Sequence, residues 1–166
     1  MTDQEVAGRA RRDREDICAL EAAYGPRWDA GDSDGWSALY TEDGVFAVAK
    51  QDGTPEVRAR GRVELAGRCD LFNRDRQGMH LVQQPDVAIR GDVAQALVPF
   101  TFWGAPRPGR GLAAGTLEVA GIYKVEYQRT AEGWRMRYRY EVPTLRRTAE
   151  HLVRDIHGLG WLSELA

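Results

Sequence analysis

Lysine is almost missing from this chain. Lys50 and Lys124 are the only two, so arginine supplies nearly all the positive charge. Nor is there a basic excess: 23 Lys and Arg stand against 25 Asp and Glu, a formal net charge of −2. A nucleic-acid-binding surface needs such an excess, so no nucleic-acid partner is expected. Long apolar runs are lacking too. Nothing approaches the roughly 18 apolar residues of a membrane-spanning helix, and the opening MTDQEVAGRARRDRED has no signal-peptide core. These features predict a soluble, cytoplasmic protein with no membrane partner. Cysteine is scarce: Cys18 and Cys69 lie far apart, form no CxxC pair, and are expected to be free thiols. Only three histidines occur, His80, His151 and His157, without HExxH spacing, so no metal site is expected. GxSxG is absent, and the glycine-rich GRGLAAGT at 109–116 lacks a P-loop lysine and leads into a strand. No cofactor is expected.

What is present suits one domain spanning 1–166. Hydrophobic residues make up 43% and charged residues 29% of 166 positions, enough to bury a core without a disulfide or metal staple. Abundant Arg, Ala and Gly with little Lys suggests a GC-rich bacterial genome. Thr2 or Asp3 is placed to cap an N-terminal helical turn. Ile17, Leu20, Tyr24 and Trp28 recur at helical spacing, predicting a helix over about 12–30 that GDSDG at 31–35 ends. A short helix over 36–40, a strand over 45–50, an extended stretch over 53–60 and a third helix over 61–74 follow.

The period then changes. Extended segments are predicted over 78–90, 93–104, 116–127 and 134–142, with Pro85 marking an edge or bulge. In the last of these, Trp134, Met136, Tyr138, Tyr140 and Val142 alternate with Arg135, Arg137, Arg139 and Glu141. The alternation predicts one apolar-aromatic face and one charged, solvated face, with arginines pairing to Glu118 and Glu126 across the hairpin. Residues 145–156 read as a tail helix, within a tail of about 146–166 anchored by Trp161. Helices first and long antiparallel strands after predict an α+β fold, its curved sheet wrapped around the helices with a ligand pocket at the open end.

The stretch REDICALEAAYGPRWDAGDSDGWSALYTEDGVF at 14–46, GMHLV at 78–82 and EGWRMRYRYEV at 132–142 together resemble the SnoaL-like family. This family lies within the nuclear-transport-factor-two-like superfamily. The likeness covers about residues 12–145 and points to the branch of scytalone and bile-acid dehydratases, dehydrochlorinases and polyketide cyclases. It implies a cone-shaped α+β barrel with a deep pocket. It also implies a homodimer, and a hydrophobic, ring-containing substrate such as a polyketide, terpenoid or steroid-like molecule of secondary metabolism. The implied chemistry is that of a cofactor-independent lyase or isomerase/cyclase. Non-catalytic accessory modules and epoxide hydrolases share the fold, so the site must decide.

The resemblance carries specific residues over. His80 matches a catalytic base and Asp29 its orienting carboxylate. An imidazole, with an ordinary pKa near 6.5, can take a proton at neutral pH, and a carboxylate on its other nitrogen fixes the tautomer. Tyr24, five residues before Asp29, matches a substrate hydrogen-bond donor. Second polar groups known from relatives fall here near Trp103 and Val48, which cannot act as acid or base. Trp28, Phe46, Phe72, Trp103, Tyr138 and Tyr140 are expected to form an aromatic, substrate-binding chamber.

Overall fold

A computed structural model describes residues 2–108 and 115–149. Helix α1 (Asp3–Ala30) begins at Thr2, whose side chain accepts from the Glu5 amide while Glu5 returns a bond to the Thr2 amide. It ends at Gly31, whose φ of 71° is left-handed and free of cost only in glycine. The observed helix starts well before the predicted one, since its first turns are polar and exposed and leave no apolar period to read. Helix α2 (Ser33–Ser37) is capped by Asp32, and α3 spans Gly61–Asp75.

Seven strands follow the order β2-β1-β7-β6-β5-β3, with β4 also on β5. They are β1 (Tyr40–Ala49), β2 (Pro55–Arg60), β3 (Arg76–Val82), β4 (Asp86–Arg90), β5 (Val93–Pro106), β6 (Thr116–Thr130) and β7 (Gly133–Ala149). The sheet is curved and unclosed, and antiparallel except for the parallel β1–β7 ladder. β3 pairs with residues 100–106 of β5 and β4 with residues 93–97, so the predicted extended region around Pro85 is two strands on one partner. The three helices lie against the concave face, and the core forms between. Trp36 is fully buried there, its ring 4.7 Å from that of Trp28 and 5.6 Å from that of Tyr24. Burying each such side chain contributes about 1.5–3 kcal/mol.

Strand β7 departs from its simple alternation. Tyr127 pairs with Met136 and Glu126 with Tyr138, so Arg137 is an extra residue, a β-bulge. Side chains before the bulge alternate as predicted, with Trp134 and Met136 buried. After it the parity inverts. Arg139, expected on the solvated face, is wholly buried, and Tyr138 and Tyr140 turn to the convex face. Arg137 does face out and pairs with Glu126 at 2.8 Å. The strand also continues through residues 145–149, where a tail helix was expected, because 15-residue β6 offers partners as far as Thr116. The rest of the expected tail, with His151, His157 and Trp161, lies outside the described residues, as does most of GRGLAAGT.

No described helix is long and apolar enough to cross a membrane. Cys18 and Cys69 are both free, and burial pushes the Cys69 thiol up to about 11.

Candidate functional site

Three acids project from α1 toward the sheet at eight-residue intervals: Asp13, Glu21 and Asp29. Each meets a different partner. Asp13 binds Arg129 at 2.6 Å and accepts from the Trp134 indole at 3.2 Å. Glu21 accepts from Arg139 at 2.8 and 2.9 Å and from the Tyr127 hydroxyl at 2.6 Å. Asp29 meets His80. Its Oδ2 accepts from the His80 backbone amide at 2.7 Å, and its Oδ1 lies 2.7 Å from the ring Nδ1.

This double contact defines the histidine. A carboxylate on Nδ1 favours the tautomer with the proton there, which leaves Nε2 as the acceptor. Holding the backbone and the ring together fixes both the position and the rotation of the imidazole. Two devices bring α1 close enough. An added Cβ at Gly25 would sit 2.8 Å from the His80 Cβ, so any larger residue would push helix and strand apart. The Asn73 amide donates to the Trp28 carbonyl at 2.8 Å, tying the end of α1 to α3 one residue before Asp29.

The His80 side chain is 7% exposed and lines a cavity of about 220 Å³. Tyr24 meets the imidazole edge-on at 5.8 Å, Trp28 at 6.3 Å, and the Phe102 ring lies tilted at 4.4 Å. Of the expected chamber, Trp28, Phe46 and Phe72 line this cavity, and the expected donor Tyr24 lines it as well. Trp103, Tyr138 and Tyr140 do not. Trp103 is 40% exposed because on β5 the even-numbered residues Phe100 and Phe102 face inward. Tyr138 and Tyr140 line a separate groove on the convex face, where the Arg137 bulge sends them. Val48 does line the cavity.

Sequence reasoning missed the polar part of the wall: Arg58, Arg68, Glu141 and Arg146. One signal was legible, since Arg68 stands three residues after Leu65 and four before Phe72, on the inward face of α3. Glu141 had none, because its inward turn depends on the bulge. Burial raises the Glu141 carboxyl above its ordinary range, against the opposing pull of Arg146, Arg68 and Arg139. Burial also pushes the Tyr24 phenol up to about 12, so it stays protonated and able to donate at neutral pH. Among the described residues, no three His, Cys, Asp or Glu side chains converge to hold a metal ion.

The chain is a small α+β protein whose N-terminal helices lie on a curved, unclosed sheet, with the Asp29–His80 contact beside a cavity. The SnoaL-like domain pattern matches residues 9–140, and the chain belongs to that family. An NTF2-like protein of cystatin-like fold from Novosphingobium aromaticivorans is 26% identical, with TM-score 0.64 over 86% of this chain and 90% of the other. Rv3472 from Mycobacterium tuberculosis is also 26% identical, with TM-score 0.63 over 92% of this chain and 79% of the other. A type 2 hexachlorocyclohexane dehydrochlorinase shares the fold at 14% identity, with TM-score 0.69 over 93% of this chain and 97% of that one. No curated protein matches the sequence.

Proposed function

We propose that the protein is a cofactor-independent lyase or isomerase/cyclase acting on a hydrophobic, ring-containing small molecule of the polyketide, terpenoid or steroid-like kind. His80 is the general base, Asp29 its orienting partner and Tyr24 a substrate hydrogen-bond donor. The observation that carries this reading is the Asp29–His80 contact at 2.7 Å beside a largely aromatic cavity. With Asp29 on Nδ1, Nε2 takes the proton from a substrate carbon and the carboxylate stabilises the imidazolium that forms. The electron pair left on carbon then expels a leaving group, shifts a double bond or closes a ring. Trp28, Phe46 and Phe72 hold the ring system and exclude water.

Epoxide opening by an Asp-activated water fits less well, because both Asp29 oxygens are already engaged by His80. A homodimer through the convex sheet face is part of the proposal. Met79, Leu81, Leu97, Trp103 and Ile122 leave apolar surface exposed there.

The test is a panel of carbonyl-bearing ring compounds, followed for turnover and for binding. D29N and H80A should each lose turnover while still binding ligand. Ligand binding by the unaltered protein, with no turnover of any compound, would favour an accessory binding module. Loss in D29N alone, with H80A active, would favour epoxide chemistry.

A further inference from the structure

The cavity wall is not uniformly apolar, and its charges do not cancel. Arg58 is answered by Glu56, at 2.8 Å. Glu141 is answered most strongly by Arg146. Arg68 is left over. It makes no hydrogen bond or ion pair among the described residues, and its Nε is sealed from solvent without an acceptor. Its guanidinium is held in the wall by α3 and by the Phe46 ring, whose centroid lies 5.3 Å away. Burial and then the neighbouring Arg58 pull its pKa below the ordinary guanidinium value, although arginine keeps its charge at any physiological pH. A half-buried guanidinium in a cavity wall, with no carboxylate bonded to it among the described residues, is what an anionic ligand would complete.

We propose that Arg68 anchors an acidic oxygen group on the ligand, a carboxylate or the enolate or phenolate oxygen of a ring compound, and so turns the ring toward His80. This deepens the function proposed above and rests on it for the direction of the reacting carbon. Binding by Arg68 itself does not require that His80 be a base. If the group held is a carbonyl, the step balances simply. The proton leaves carbon for His80 Nε2, the electron pair moves onto the carbonyl oxygen, and Arg68 holds the oxyanion formed. Arginine's planar fork suits this group, whereas a purely aromatic chamber would not distinguish it from a methyl.

Two ring compounds of similar shape provide the test: 2-naphthoate and 2-methylnaphthalene, titrated against the full chain by NMR. The unaltered protein should bind 2-naphthoate at least tenfold more tightly. R68Q should lose that preference while its affinity for 2-methylnaphthalene stays unchanged. The Arg68 Nε–H resonance, assigned by its disappearance in R68K, should shift on adding 2-naphthoate and not on adding 2-methylnaphthalene. This signal serves even if R68Q fails to fold. Absence of any preference, binding of neither ring, a preference retained in R68Q, or an unmoved Nε–H signal would each overturn the proposal. H80A keeps the two ideas separable. It should retain the naphthoate preference, so an H80A protein with preference and turnover intact would sink the base while sparing the anchor.

Discussion

Glu21 and Asp29 stand eight residues apart on one helix, and each holds a nitrogen base from the sheet at 2.7–2.9 Å. Their consequences differ. Arg139, Glu21's partner, is wholly buried, with its guanidinium 3.7 Å from the Tyr24 ring centroid and 3.8 Å from that of Tyr123. Burial works against its charge, yet Glu21 and the surrounding tyrosines outweigh that and raise its pKa, so Arg139 keeps its charge. His80 carries an imidazole rather than a guanidinium, and it opens onto a cavity. A buried carboxylate–cation pair is therefore structural or chemically competent according to two things. One is whether the base can exchange a proton at working pH, and the other is whether anything can reach it.

The largest expected effect breaks the structural pair. E21A leaves Arg139 charged and buried without its carboxylate and should cost about 3–5 kcal/mol in urea unfolding. The double change E21L with R139M should recover most of that loss, because no uncompensated charge remains. A single and a double variant of equal stability would mean that the pair is not what holds this end of α1.

On the other pair, H80A should lower turnover by about 10²–10⁴-fold while the folded protein remains stable enough to purify. Turnover falling only in step with stability would place His80 with Arg139 as a structural residue.

Alkaline titration probes the tyrosines around Arg139. Tyr24 is held up at about 12, above its ordinary 10 in the unfolded chain, so the unfolded state releases its proton first. The stability it contributes is complete below pH 10 and is lost as pH rises through 12. The loss from Tyr24 alone should be about 2–3 kcal/mol, read from unfolding midpoints at successive pH values. Y24F should flatten that part of the curve.

The smallest effect sharpens the contrast. G25A gains about 1 kcal/mol of helix propensity but places a methyl against the His80 Cβ, and overpacking costs about 1–3 kcal/mol. The expected net loss is about 1 kcal/mol, with a larger proportional drop in turnover. A variant more stable than its parent with full turnover would show that the helix–strand spacing at Asp29 and His80 has slack.

Much of the architecture follows from local patterns. Helical spacing of Ile17, Tyr24 and Trp28 exposed α1, and alternation over 116–127 and at Trp134 and Met136 exposed β6 and the start of β7. Asp29 and His80 were legible as a pair only through family resemblance, since 51 residues separate them. The errors at 138–140 share one cause. The assignment of Tyr138, Tyr140 and Arg139 extended a period-two pattern across Arg137, where the chain inserts an extra residue. A bulge leaves no compositional mark here, and the inserted residue reverses the side chains beyond it as far as the second extra residue, Thr144. Trp103 failed for a related reason: the inward parity of β5 is set by its pairing with β3, where His80 meets Phe102.

The sequence by itself determined the α+β class, most of the order of elements and the identity of the residues able to do chemistry, because these depend on residue type and short-range spacing. The tertiary structure alone decided which of them share a cavity. It turned Glu141 inward beside Arg68, sent Tyr138 and Tyr140 to the convex face, and sealed Arg139 against Glu21. Those outcomes rest on strand register and helix–sheet distance, which arise from contacts between residues far apart in the chain.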